Sequence, residues 1–158
     1  MSISAESSIS FPVSTLAESH QVPASIGGWL QWSAALTRVL RSLDSSRPGC
    51  VVIDQPDRSQ RFVQVVVTPE HTHIEASSNA YLAGASQLNG VDERLLVLLG
   101  YVEGRPGHGH PAEASSNWML PVEHGDWITV VETVTATLVG IFGFSEQLPV
   151  RMQAFPIG

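Results

Sequence analysis

The stretch from Arg61 to Tyr101 constrains the fold more than any other part of this 158-residue chain. The run Arg61–Thr68 is predicted as a strand whose successive side chains point to opposite faces. Pro69-Glu70 forms a turn, and His71–Ala76 returns as the next strand. Strands joined by so short a connection pair antiparallel, so we expect an antiparallel sheet at the centre of the protein.

The sequence around this centre predicts three helices and two further strands. Each long helix shows apolar residues at three- and four-residue steps, and Gly100 can end the short helix in a left-handed conformation. Asp126 can cap the last helix, although its β-branched residues also permit a strand there. The predicted elements are the helices Ser25–Leu43, Val91–Leu99 and Asp126–Phe142 and the strands Cys50–Asp54 and Gln147–Phe155.

This order of elements predicts an α+β fold, in which an antiparallel β-sheet is packed against helices on one face. The length fits one domain, and we expect residues 25–158 to form it. Residues 1–24 are rich in serine and lack lysine and arginine, so a flexible N-terminal tail is predicted there. In an alternative interpretation, this tail folds over the domain with Phe11, Val13 and Leu16 as anchors.

Composition and charge argue against several classes of partner. The net charge is −7 with only eight lysine and arginine residues, which disfavours a nucleic-acid partner. No apolar run approaches the roughly 20 residues that span a bilayer, and no basic segment precedes an apolar run at the N-terminus. The only cysteine, Cys50, adjoins an apolar run and is predicted as a buried core thiol. We therefore expect a cytoplasmic protein.

Two histidine pairs leave a metal-binding protein, or an enzyme that uses a bound metal, open as an alternative. His71 and His73 are two residues apart, as are His108 and His110, and this spacing places two imidazoles on one face of a strand. The second pair lies in the loop Tyr101–Ser116, which is dense in Gly, Pro and His. The chain carries no nucleophile elbow and no glycine-rich phosphate loop, so we expect neither catalysis nor a cofactor.

Two asparagines follow pairs of serines and precede apolar or aromatic residues. They are Asn79, two residues before Tyr81, and Asn117, next to Trp118. Each asparagine side chain can simply bond the local backbone and stabilise a turn, with Trp118 buried in the core. Alternatively, these amides and aromatic rings border a groove that holds an extended peptide.

Short motifs in a particular order carry a resemblance to a known family. They are Phe62-Val63-Gln64, Ser78-Asn79-Ala80-Tyr81-Leu82, Leu99-Gly100-Tyr101 and Asn117-Trp118. Their order and spacing resemble the actinobacterial TY-Chap domains, which are grouped with the type III secretion chaperones of the CesT kind and with YbjN proteins. The similarity covers about residues 27–156. Tyr101 stands where this group usually has tryptophan, and Ser116 stands where proline is common.

The resemblance implies a secretion-chaperone-like α+β fold and a non-enzymatic, peptide-binding role, often as a homodimer. An extended client could add to the edge of the strand Arg61–Thr68. The predicted peptide contacts are Phe62, Gln64, Asn79, Tyr81, Asn117 and Trp118. In a third interpretation the protein is a regulator that dimerises through the helix Asp126–Phe142.

Overall fold

The computed structural model describes residues 19–21, 28–43, 47–55, 60–104, 116–145 and 149–157. In these ranges the chain forms seven strands, three α-helices and a short 3₁₀ helix, Gly84–Ser86. The strands are β1 (Ser19–Gln21), β2 (Gly49–Asp54), β3 (Phe62–Val67), β4 (Thr72–Ala76), β5 (Val102–Glu103), β6 (Trp118–Val122) and β7 (Pro149–Pro156). The helices are α1 (Gly28–Arg41), α2 (Gly90–Leu99) and α3 (Trp127–Thr135), which continues as a π-helical segment, Ala136–Ile141.

The strands form one antiparallel sheet in the order β1-β7-β2-β3-β4-β6-β5. The α+β fold is therefore confirmed. Strand β3 lies inside the sheet, paired with β2 on one side and with β4 on the other. The prediction that Arg61–Thr68 offers an edge to a client is wrong, because short connections on both sides place both chain neighbours next to this strand.

The two faces of the sheet differ in burial. Val63, Val65 and Val67 are fully buried in a core that the three helices also enter. The side chains of β3 that point the other way are only partly buried, and none of the described helices packs against that face. We call it the open face; its residues are Cys50, Val52, Asp54, Phe62, Gln64, Val66, His73, Glu75, Met119, Pro121, Arg151, Gln153 and Phe155.

Helix ends follow local chemistry, and the predicted end at Gly100 and cap at Asp126 are confirmed. Asn89 caps α2 and exchanges hydrogen bonds with Asp92 in a capping box, and Gly100 ends the helix with φ 108°. Asp126 caps α3 by accepting from the amide of Thr129 at 3.2 Å. Within the described residues, no helix is both long and apolar enough to cross a membrane.

Three strands were not predicted. Strand β5 lies at the start of the predicted loop Tyr101–Ser116, and β6 begins just after the loop. Strand β6 forms through its pairing with β4, since Pro121 interrupts any local strand pattern. Strand β1 pairs with β7 at three residues of the predicted tail. The anchors Phe11, Val13 and Leu16 lie outside the described residues.

The apolar stripe of the last helix is buried rather than exposed. Val130, Val134 and Leu138 have no solvent exposure and belong to the core. This stripe is therefore not available for a dimer contact, because the sheet and α1 already use it, and a dimer through the helix Asp126–Phe142 would involve only its other residues. Near its end the helix widens into the π-helical segment, where Thr137 donates to the carbonyl of Thr133 at 2.7 Å.

Candidate functional site

Glu75 lies at the centre of a polar cluster on the open face. Gln64 Nε2 donates to Glu75 Oε1 at 2.9 Å, and Asn117 Nδ2 donates to the same oxygen at 3.1 Å. His73 Nε2 lies 2.8 Å from Glu75 Oε2. The cluster joins β3, β4 and the residue that precedes β6, so three separate parts of the chain converge on one carboxylate.

The amide of Gln64 is held in one orientation by Cys50. The thiol donates to Gln64 Oε1, with 3.5 Å between Sγ and the oxygen, so the Gln64 NH₂ group points to Glu75. Burial, followed by the negative charge of Glu75, raises the pKa of Cys50 to about 11. The thiol therefore stays protonated and unreactive at neutral pH. Cys50 is half-buried on the open face and not in the core, because it alternates with Val51 along β2.

The cluster keeps Glu75 ionised. Burial acts to raise the pKa of this carboxyl, but hydrogen bonds from His73, Asn117 and Gln64 outweigh it and lower the pKa to about 2. The side chain is only 8% exposed. Glu75 was not among the predicted contact residues, and only the strand register could have identified it, because β3 and β4 pair Gln64 with Glu75.

The first histidine pair lies in this cluster, through His73. The rings of His71 and His73 stack with 5.5 Å between centroids, and Nδ1 of His71 lies 3.3 Å from the Thr68 hydroxyl. Within the described part of the chain, no three histidine, cysteine or acidic side chains are placed to hold a metal ion. His108 and His110 lie outside the described residues.

Apolar side chains surround the polar cluster. Val52 and Val66 pair with Gln64 and His73 across the neighbouring strands, and Met119 pairs with Glu75 on the other side. Farther out, Arg151 forms a two-pronged ion pair with Asp54, at 3.0 and 2.7 Å, between β7 and β2. The open face thus combines a fixed carboxylate with apolar side chains and with other polar groups.

The six predicted contact residues lie in three different places: on the open face, in the core and in the segment after β4. Phe62, Gln64 and Asn117 reach the open face, and the last two meet at Glu75. Trp118 points to the opposite face and is 5% exposed, in the core.

The other two predicted residues lie in the segment after β4. Asn79 is bonded to both backbone groups of Leu88, at 2.7 and 3.0 Å, and so stabilises this loop. Tyr81 is more than half exposed in a turn closed by its amide and the carbonyl of Ser78. Neither side chain shares a hydrogen bond with the Glu75 cluster.

A second apolar surface lies on the far side of α2. Leu96 is the only residue of this helix that is fully buried, whereas Leu98 is 80% exposed. Beside Leu98, helix α2 and the π-helical segment enclose an almost wholly apolar groove of about 240 Å³. Its lining residues are Leu95, Leu98, Leu99, Ala136, Gly140 and Ile141.

Comparison with known proteins gives one family. The sequence model of the family TY-Chap3, described as T3SS (YopN, CesT) and YbjN peptide-binding chaperone 3, matches residues 23–154. This match spans every described helix and strand except β1 and the last two residues of β7. No curated protein and no solved structure gives a significant match.

Proposed function

Because the chain belongs to the TY-Chap3 family of peptide-binding chaperones, we propose that it holds an extended segment of a client protein on its open face, without catalysing a reaction. The observation that carries the proposal is a sheet face that none of the described helices covers. That face combines apolar side chains with a fixed polar centre, which is the usual composition of a ligand-binding surface.

The client would bind mainly through its side chains. Strand β3 has both edges occupied, so a guest cannot pair with it in the plane of the sheet. An extended chain laid across the open face can instead place alternate side chains on Val52, Phe62 and Val66. Gln64 and Asn117 would act through Glu75, whose carboxylate they hold in place.

Chemical-shift mapping tests this proposal. The labelled protein is titrated with a reduced, carboxymethylated polypeptide that cannot fold, and methyl signals are followed on both sides of the sheet. We expect Val52, Val66 and Met119 to shift, while Leu30 on α1 stays unchanged. Shifts confined to the helices, or binding only by folded proteins, would contradict the proposal.

We also propose that the protein forms a homodimer through α2. A two-fold interface requires one surface to carry both a projection and a matching recess. Leu98 projects beside the groove lined by Leu95, Ala136 and Gly140, so the same patch carries both. A second copy would also cover apolar residues of α2 that the described fold leaves open.

We also propose that the protein acts in the cytoplasm. Cys50 is the single cysteine of the sequence, so the described fold uses no disulfide, as is usual for proteins of a reducing compartment. Fractionation of the native cells with an antibody against the protein would test this. Recovery in the membrane or secreted fraction would contradict it.

A further inference from the structure

The Glu75 cluster combines an oriented set of donors with a carboxylate whose one ionisable hydrogen-bond partner is a histidine. Cys50 donates to Gln64, and Gln64, Asn117 and His73 all contact the carboxylate. Two of these partners are neutral amides, and the third, His73, forms an ion pair with Glu75 when its ring is protonated. The nearby acid Asp54, by contrast, is neutralised by Arg151. The carboxylate of Glu75 therefore has no permanent cation among its hydrogen-bond partners.

Glu75 and His73 can also accept further hydrogen bonds. Glu75 Oε1 receives two hydrogen bonds, whereas Oε2 receives one and can accept another. In a neutral His73 ring that donates from Nε2 to Oε2, Nδ1 carries a lone pair; this atom is buried and, within the described residues, has no hydrogen-bond partner. Glu75 and His73 thus leave two acceptors unfilled on adjacent groups of one strand.

We propose that this position is a specificity subsite for a basic side chain, lysine or arginine, of the bound client. The inference rests on the proposed function of the open face. An ammonium or guanidinium group supplies both a permanent positive charge beside Glu75 and several N–H donors. Val66 and Met119, which flank the cluster across the sheet, would contact the aliphatic stem of such a side chain. The exposed ring of His71, stacked on His73, would move aside or stack on the guest.

Two synthetic peptides test the subsite. Both have a soluble, labelled sequence of alternating valine and threonine, and they differ only at the central residue, which is lysine in one and norleucine in the other. Fluorescence anisotropy should show the lysine peptide binding about ten-fold more tightly to the wild-type protein, as expected for a charge-assisted contact. Glu75→Gln should abolish this preference. The matched control Glu70→Gln, an exposed acid in the turn before β4, should preserve it.

The outcomes separate the subsite from the proposed function. Equal binding of both peptides to the wild-type protein would overturn the subsite and leave peptide binding intact. Failure of both peptides to bind would overturn the proposed function and the subsite together. Because the first comparison uses only the wild-type protein, it stands even if Glu75→Gln fails to fold.

Discussion

The hydroxyl of Tyr101 lies 3.0 Å from Oγ1 of Thr137, and both side chains are buried. This bond ties the residue that follows the end of α2 to the π-helical segment. It therefore connects the two walls of the apolar groove, since Leu98 and Leu99 lie on one wall and Gly140 lies on the other.

Tyr101→Phe should lower the free energy of unfolding by about 1 kcal/mol, because one buried hydrogen bond is lost while Thr137 keeps its bond to Thr133. Urea unfolding followed by tryptophan fluorescence measures the change. Burial raises the pKa of Tyr101 to about 12, although the bond to Thr137 opposes this. The extra free energy of unfolding of the wild type over Tyr101→Phe should therefore be complete below about pH 10 and fall as the pH rises towards 12. Tyr81→Phe, at an exposed position, is the control; an equal loss there would contradict the assignment.

Glu75→Gln should make the free energy of unfolding depend less on pH in the acid range. The folded pKa of Glu75 is lowered to about 2 from an ordinary value of 4.5, so its contribution is complete above about pH 4.5 and is lost as the pH falls towards 2. We expect the wild type to lose about 1 to 2 kcal/mol over this range through Glu75, after a discount for solvent screening. Urea titrations at several pH values measure it. If wild type and variant lost the same free energy of unfolding as the pH falls, the role of Glu75 would be disproved. Glu70→Gln serves as the control.

Gly100→Ala should destabilise the protein by about 1 to 2 kcal/mol. Gly100 has φ 108°, a conformation that disfavours a β-carbon, and an added Cβ would lie 3.1 Å from Leu120 Cδ1. Thermal unfolding measures the loss. Gly90→Ala, in the first turn of the same helix, is the matched control, because a Cβ there meets nothing within 4 Å. Equal melting temperatures for the two variants would refute the explanation.

Leu98→Asp should convert the proposed dimer into a monomer, because it places a carboxylate in the apolar contact between two copies of α2. Sedimentation equilibrium measures the mass. Gly140→Leu should have the same effect by filling the groove, since the space above Gly140 is open. Leu30→Asp, at a residue of similar exposure on α1, should remain dimeric. A wild-type protein that is monomeric at high concentration would rule out this interface.

Replacing Phe62 and Val66 together by serine should weaken client binding by about ten-fold, because apolar contact area on the open face is lost. Anisotropy with the carboxymethylated polypeptide measures the affinity. Leu30→Ser removes an exposed apolar side chain on the helical side and should bind as the wild type does. If the two variants lost affinity equally, the open face would not be the binding surface.

Local patterns were sufficient to predict much of the fold. Strands β2, β3 and β4, the caps at Asp126 and Gly100, and the helical stripes each depend on residues within a few positions of one another. Strand β6 was missed because its partner, β4, lies more than forty residues earlier in the chain. The same distance explains why Trp118 was predicted as a client contact, although the pairing with Ala76 directs its ring into the core.

The amino-acid sequence by itself determined the helices and four of the seven described strands, and which of their residues share a face, because these properties follow from the backbone period. Only the tertiary structure decided which face is covered. The apolar residues of the short helix repeat at helical spacing, at Val91, Leu95, Leu98 and Leu99, and this spacing correctly predicts a helix. The helix nevertheless buries Leu96 and leaves those four residues exposed. Likewise, Gln64, Glu75 and Asn117 form a cluster only because the register brings three distant segments together. Burial depends on what packs against a surface, and no local pattern contains that information.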